Sequence, residues 1–157
     1  MKAVYITEHG GAEVLQYGDQ PEPSIGPNDV KVRVRAAALN RLDVYTRAGV
    51  RGTRRKFDGN AHIMGGDSAG EVVEVGEGVE GWEVGDRAAP IFSQTWQSGE
   101  PSRAKLRGTM GGPLDGTLAE YVCVGADGAV KLPENLSYAQ ASTLPCAAVT
   151  AWSALVE

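Results

Sequence analysis

Cysteine is scarce in this chain. Only Cys123 and Cys146 occur among 157 residues, with no C-x-x-C pair, which excludes a disulfide framework and fits a reducing cytoplasm. No apolar run approaches the roughly 20 residues that a membrane span requires. The opening Met1-Lys2-Ala3-Val4-Tyr5-Ile6 lacks the length of a secretory signal, so neither membrane nor export is expected. Basic charge is also short. Fifteen Lys and Arg stand against 20 Asp and Glu, for a net charge of −5 and a pI near 5.1, whereas a nucleic-acid surface wants a basic face. The one basic cluster, Arg51, Arg54, Arg55 and Lys56, lies among glycine and polar residues and reads as a solvated loop. Internal repeats are absent.

Glycine is plentiful. Twenty-one glycines without a strict period indicate many tight turns rather than disorder, and the length suits one domain plus a tail. The first two thirds read as β-structure. Lys2 to Thr7 is a short strand, with Val14 to Tyr17 as its partner across the His9-Gly10-Gly11 turn. A proline-ruled turn from Pro21 to Asp29 leads into Val30 to Arg35, where Val30, Val32 and Val34 should face a core and Lys31, Arg33 and Arg35 water. Asn40 to Ala48 predicts a short helix with Leu42, Tyr45 and Ala48 near one face. Residues 51–60 and 93–116 read as loops, the second long enough to be functional or mobile. Strands are expected over 67–75, 86–92, 117–124 and 129–132. Ser137 and Gln140 form a capping box, and Pro145 should end that helix and start another running to Glu157.

Within Gly65 to Ala88 lies Gly76-x-Gly78-x-x-Gly81, a formal match to a dinucleotide fingerprint. A working fingerprint needs a strand before it and a helix after it, so that pyrophosphate meets the helix N-terminus. Glu71 to Val75 supplies the strand. Trp82 to Arg87, with Gly85, has no helical apolar period, so the block reads as strand, turn, strand.

Several blocks together resemble the N-terminal, GroES-like catalytic domain of the medium-chain dehydrogenase/reductase superfamily, which includes zinc alcohol dehydrogenases and zinc-free quinone oxidoreductases. They are Met1-Lys2-Ala3-Val4; Pro21-x-Pro23-x-x-Gly26-Pro27-x-Asp29-Val30-x-Val32; Ala38-Leu39-Asn40-Arg41-Leu42-Asp43; and Gly65-Gly66-Asp67-x-Ala69-Gly70-x-Val72-x-x-Val75-Gly76. Val84-Gly85-Asp86-Arg87, Gly116-x-x-Ala119-Glu120-Tyr121 and Leu144-Pro145-Cys146-Ala147-x-x-Thr150-Ala151-Trp152 complete the set. The resemblance implies a mainly β fold, a partly open barrel over 1–132 with C-terminal helices. Residues 133–157 are then a helical segment leading toward a nicotinamide-binding Rossmann domain that this chain lacks, and the chain is expected to be a piece that is inactive alone.

The resemblance also implies the chemistry. The family's zinc-binding cysteine, histidine and second cysteine correspond to Asn40, Gly66 and Cys146. One thiolate cannot hold a catalytic zinc, which takes three protein ligands and water, and the four-cysteine lobe of the structural zinc is missing. His62 lies about 13 Å before Gly66 in an extended stretch at ~3.3 Å per residue. Asp67, at an acidic position beside the zinc, makes a poor mixed set with Asn40 and Cys146. No zinc is therefore expected. Leu42 stands where the alcohol proton relay has a hydroxyl, and Tyr45 where it has a histidine. Asn40 with a nearby tyrosine resembles the quinone-oxidoreductase branch, so Asn40, Tyr45 and Asp67 are the candidate catalytic residues. Arg41 corresponds to a contact with cofactor pyrophosphate and Thr150 to one beside the nicotinamide.

The implied function is zinc-independent reduction of quinones, enones or similar small carbonyls with NADPH or NADH, in a cytoplasmic homo-oligomer. A zinc-type alcohol dehydrogenase relative and a non-enzymatic GroES-like binding module stand as alternatives. Several residues have structural readings beside the functional ones. Asn40 could cap its helix, Asp43 could be scaffold, Tyr45 core, Cys146 a small apolar filler and Thr150 helix packing. Trp82 and Trp152 read as core anchors, and Trp96 as a pocket candidate. A last helix without a following domain would leave Val149, Trp152 and Leu155 to self-associate.

Overall fold

A computed structural model describes residues 1–50 and 52–156. Arg51 of the basic cluster and Glu157, the expected end of the last helix, lie outside the described residues. The described residues form strands β1 (Lys2–Ile6), β2 (Gln16–Asp19), β3 (Asp29–Ala38), β4 (His62–Ile63), β5 (Asp67–Val75), β6 (Arg87–Pro90), β7 (Tyr121–Gly125) and β8 (Ala129–Lys131). The helices are α1 (Arg41–Ala48), α2 (Tyr138–Ala141) and α3 (Val149–Val156). One sheet has the order β2-β1-β4 and the other β7-β3-β5-β6-β8, with antiparallel pairing throughout. The segment before β7, expected to be strand from Thr117, instead crosses between the sheets. Its backbone pairs with Lys2, Val4 and Met64, which stitches the two sheets into a partly open, mainly β barrel.

The central strand β3 shows why the barrel holds. Val30 and Val32 are fully buried in one cluster with Val72, Ala88, Met110, Val122 and Val124, and Val34 packs at its edge. Each fully buried valine contributes about 1.5–3 kcal/mol from apolar burial. The opposite face differs from the alternation's simplest reading in one residue. Lys31, expected in water, is only 9% exposed. The Pro21 to Pro23 turn folds over it, and its ammonium pairs with Glu22 and, at 3.5 Å, with Glu74. A lysine tolerates that burial because its charge is matched.

The glycine-rich block is a turn. β5 pairs antiparallel with β6 through Gly70–Ala88 and Glu71–Arg87, so a strand follows the glycines where a dinucleotide site needs a helix. The Gly78 N–H is donated to Pro27 O at 2.8 Å. A Cβ on Gly76 would come within 2.4 Å of the Gly26 and Pro27 carbonyl oxygens, so only glycine lets the turn pass this close.

Other boundaries moved for local reasons. Ala12–Val14 makes a 3-10 turn, so β2 begins at Gln16 rather than Val14; the Gly11 N–H is held by Glu13 Oε1 at 2.7 Å. β6 ends at Pro90. At the C-terminus Ser137 caps α2, accepting the Gln140 N–H at 3.2 Å, while Gln140 Oε1 accepts the Ser137 N–H at 2.9 Å. Pro145 opens the next helical segment as predicted, but through a π-helical turn over Leu144–Ala148 before α3. Trp82 packs on the core. Trp152, read as a core anchor, is 65% exposed, alongside Val149, Leu155 and Val156.

Candidate functional site

The site grows from the junction of β3, α1 and β5. β3 carries the chain to Asn40, whose extended backbone (φ −119°, ψ 163°) places it as the N-cap of α1. Three residues on, Asp43 turns back and its Oδ2 accepts the Asn40 N–H at 2.6 Å. This is the reciprocal half of a capping box, which satisfies a donor the helix itself cannot. The Asp43 carboxylate also accepts the backbone N–H of Gly65, tying α1 to the start of β5. The helix was expected to turn Leu42, Tyr45 and Ala48 inward. Its buried residues are in fact Asp43 and Thr46, while Leu42 and Tyr45 are half-buried. Polar anchoring, rather than an apolar stripe, sets the orientation of α1.

The Asn40 side-chain oxygen faces the Asp43 N–H in the other half of the box, which leaves its NH2 end for another task. Its Nδ2 donates to Asp67 Oδ2 at 2.9 Å. The same oxygen accepts the backbone N–H of Cys146 at 3.2 Å, and the Cys146 thiol is hydrogen-bonded with the Thr150 side chain. Asn40, Asp67, Cys146 and Thr150, spread over 110 residues of sequence, thus form one connected group. Arg41 is exposed on the first turn of α1 beside it, and Thr150 is exposed on α3. Tyr45 lies one helical turn beyond Arg41.

The electrostatics follow from burial. Asp67 is 1% exposed, and desolvation pushes its carboxyl above the usual carboxylate range. The bonds from Asn40 and Cys146 oppose that rise, and the nearby Asp43 charge adds to it. Asp43 is raised by burial too, against three backbone N–H groups that favour its ionised form. The Cys146 thiol is raised by burial and then by Asp67, which makes it a poor nucleophile at neutral pH.

Gly66 carries the second feature of the site. A Cβ there would stand 2.8 Å from Cε2 of Phe92. The phenyl ring occupies the space a side chain at position 66 would need. Sequence reasoning passed over Phe92, since a lone aromatic after a short strand carries no signal of its own. The fit to a catalytic zinc is poor on chemistry as well. Among the described residues no group of three or more His, Cys, Asp or Glu side chains is placed to hold a metal ion. His62 is fully buried in β4 and is engaged elsewhere, by Arg55 and by Asp115 at 3.2 Å. Arg55, expected in a solvated loop, is drawn half-inward by this contact and by its N–H to His9 Nε2 at 3.0 Å. The loop's neighbours Arg54 and Lys56 are exposed.

A cleft of about 790 Å³ opens elsewhere, lined by Arg55, Asn60, Asp115, Tyr121 and Cys123 among others; none of Asn40, Arg41, Tyr45, Asp67 or Thr150 lines it. Its size alone does not mark chemistry, and the convergent buried polar groups sit at Asn40 and Asp67. Trp96 does not line that cleft either. Its indole N–H is donated to Gly99 O at 2.8 Å within its own loop.

Comparison with known proteins agrees with this architecture. Residues 26–134 match the alcohol dehydrogenase GroES-like domain. A zinc-type alcohol dehydrogenase-like protein of Schizosaccharomyces pombe is 36% identical over 99% of this chain and 44% of its own length. The crystal structure of an NAD-dependent alcohol dehydrogenase superposes with a TM-score of 0.86 at 36% identity, over 99% of this chain and 46% of the other. The quinone oxidoreductase of Coxiella burnetii gives 0.81 at 33% identity, over 99% and 44%. The chain spans less than half the length of each.

Proposed function

The chain belongs to the alcohol dehydrogenase GroES-like domain family of the medium-chain dehydrogenase/reductase superfamily, and from that premise we propose that it is the substrate-side half of a zinc-independent oxidoreductase that reduces quinones, enones or similar small carbonyls. Residues 1–132 form the catalytic domain. Residues 133–157 lead toward a nicotinamide-binding domain, which would cover the apolar face of α3; without it that face would pair with a second copy. The complete enzyme is read as a cytoplasmic homo-oligomer, a reading supported for the compartment by the two unpaired cysteines of this chain.

The observation that carries the metal-free reading is the pairing of Gly66 with Phe92. Where a ligand side chain would stand there is a phenyl ring, and the group left behind is an amide, a buried carboxylate and one thiol. Such a group recognises a neutral carbonyl by hydrogen bonding. A second N–H of Asn40 polarises the substrate oxygen as negative charge develops on it, and Asp67 holds the amide in place. Tyr45 offers a hydroxyl on the same helix to supply the proton. A bound nicotinamide dinucleotide supplies the hydride. Arg41 and Thr150, both open to solvent beside the group, are the residues of this chain that would meet its pyrophosphate and ring.

The name of the yeast relative keeps a zinc-type reading in view, and one experiment separates the two. Joined to a nicotinamide-binding domain, the chain should reduce a quinone with NADPH at a rate that chelators leave unchanged. Loss of that activity on chelation, recovered with stoichiometric zinc, would overturn the metal-free reading.

A further inference from the structure

Asn40 is gripped at both ends by acids. Asp43 takes its backbone N–H at 2.6 Å and Asp67 takes its side-chain Nδ2 at 2.9 Å. The second contact decides which way the amide points. Only the NH2 end of an asparagine can face an ionised carboxylate, because its Oδ1 has nothing to donate. With Oδ1 turned to the Asp43 backbone N–H in the capping box and one Nδ2–H spent on Asp67, the other Nδ2–H is left for the half-exposed side of the residue. Asp67 cannot swing away. It is 1% exposed, starts β5, and its Oδ2 is also held by the Cys146 N–H at 3.2 Å.

We propose that Asp67 is a positioning residue: its carboxylate locks the Asn40 amide in a single orientation that presents one N–H donor to the substrate. This rests on the reading that Asn40 contacts the reacting carbonyl, and it narrows the substrate class. A planar enone or quinone oxygen accepts the N–H, whereas a substrate group that can only donate finds no acceptor on the Asn40 amide, whose Oδ1 faces the Asp43 N–H. A carboxylate or phosphate at that place meets the Asp67 charge and is rejected.

The test has two arms. In this chain, the two side-chain amide protons of Asn40 are followed by NMR. The proton held by Asp67 should exchange at least tenfold more slowly than its partner, a difference that Asp67→Asn retains, since it keeps an acceptor oxygen, and Asp67→Ala abolishes. Equal exchange of the two protons in the unmodified chain overturns the lock whether or not the variants fold. In the complete oxidoreductase, Asn40→Ala should lower kcat tenfold or more with the cofactor KM unchanged. Asp67→Ala should do the same, the double variant should be no worse than either, and Asp67→Asn should restore most of the rate. Full kcat in Asn40→Ala refutes the carbonyl-contact reading and leaves the exchange result standing. Loss in Asn40→Ala with full kcat in Asp67→Ala refutes the positioning role alone.

Discussion

Gly66→Ala isolates the role of Phe92 in a single methyl group. Gly66 has no left-handed backbone, so alanine costs nothing in conformation and should gain about 0.4–1 kcal/mol by restricting the unfolded chain. Against that gain stands the contact of 2.8 Å between its Cβ and Phe92 Cε2, with Cδ2 at 3.0 Å. The ring would have to retreat by about 0.6 Å to restore ordinary contact, and overpacking of this kind typically costs about 1–3 kcal/mol. The net expectation is destabilisation by roughly 0.5–2 kcal/mol, or about 1–8 °C in Tm at ~2–4 °C per kcal/mol for a chain of this size. A double-mutant cycle with Phe92→Ala isolates the contact between the two sites. With the ring gone the alanine should become stabilising, leaving a coupling of about 1–3 kcal/mol between the two sites. Urea unfolding of the four proteins measures it. A coupling below about 0.3 kcal/mol would mean the ring does not fill the place of a side chain at 66, and the main support for the metal-free reading would go with it.

Stability should also report the buried acids. Burial raises Asp43 and Asp67 in the folded state, so folding takes up protons as pH falls. Their contribution is greatest below the unfolded value of about 3.9 and is lost as pH rises through the raised folded values. Asp67→Asn should flatten that slope in pH-dependent urea titrations, and an unchanged slope would contradict it. The Cys123 thiol, pushed up to about 11 by burial, holds about 0.1% thiolate at pH 8 by simple titration arithmetic. It should react with a disulfide reagent orders of magnitude more slowly in the native chain than in urea; equal rates would refute its burial. Titrating the chain with NADPH should leave the amide signals of residues 76–81 unmoved, because the turn holds its own N–H groups: Gly76 donates to Asp29 O, Gly78 to Pro27 O and Val79 to Gly76 O. A saturable shift confined to Gly76, Gly78 and Gly81 would revive the nucleotide reading of that block.

Much of this molecule was legible in its residues. The inward valines at 30, 32 and 34, the strand over 67–75, the span of the short helix after Asn40 and the Ser137 capping box all depend on neighbours close in sequence, and the structure agrees with each. The fingerprint at Gly76 could be rejected by the same local test. Errors arose where a distant segment intervened. Lys31 lost its solvent to the Pro21 to Pro23 turn, residues 117–120 were claimed by β1 and Met64 instead of extending β7, and Arg55 was pulled inward by His62.

The site divides in the same way. Residue types and their order marked out Asn40, Arg41, Asp67, Cys146 and Thr150 one by one, because the family's pattern is written along the chain. Tertiary structure alone decided that the NH2 end of the Asn40 amide meets Asp67. It also set the Phe92 ring against Gly66 and ran a single carboxylate oxygen from Asn40 to the Cys146 backbone. Hydrogen bonds between residues 27 and 79 positions apart leave no period or spacing in a sequence. They exist because an antiparallel barrel brings the end of β3, the start of β5 and the turn before α3 to one place.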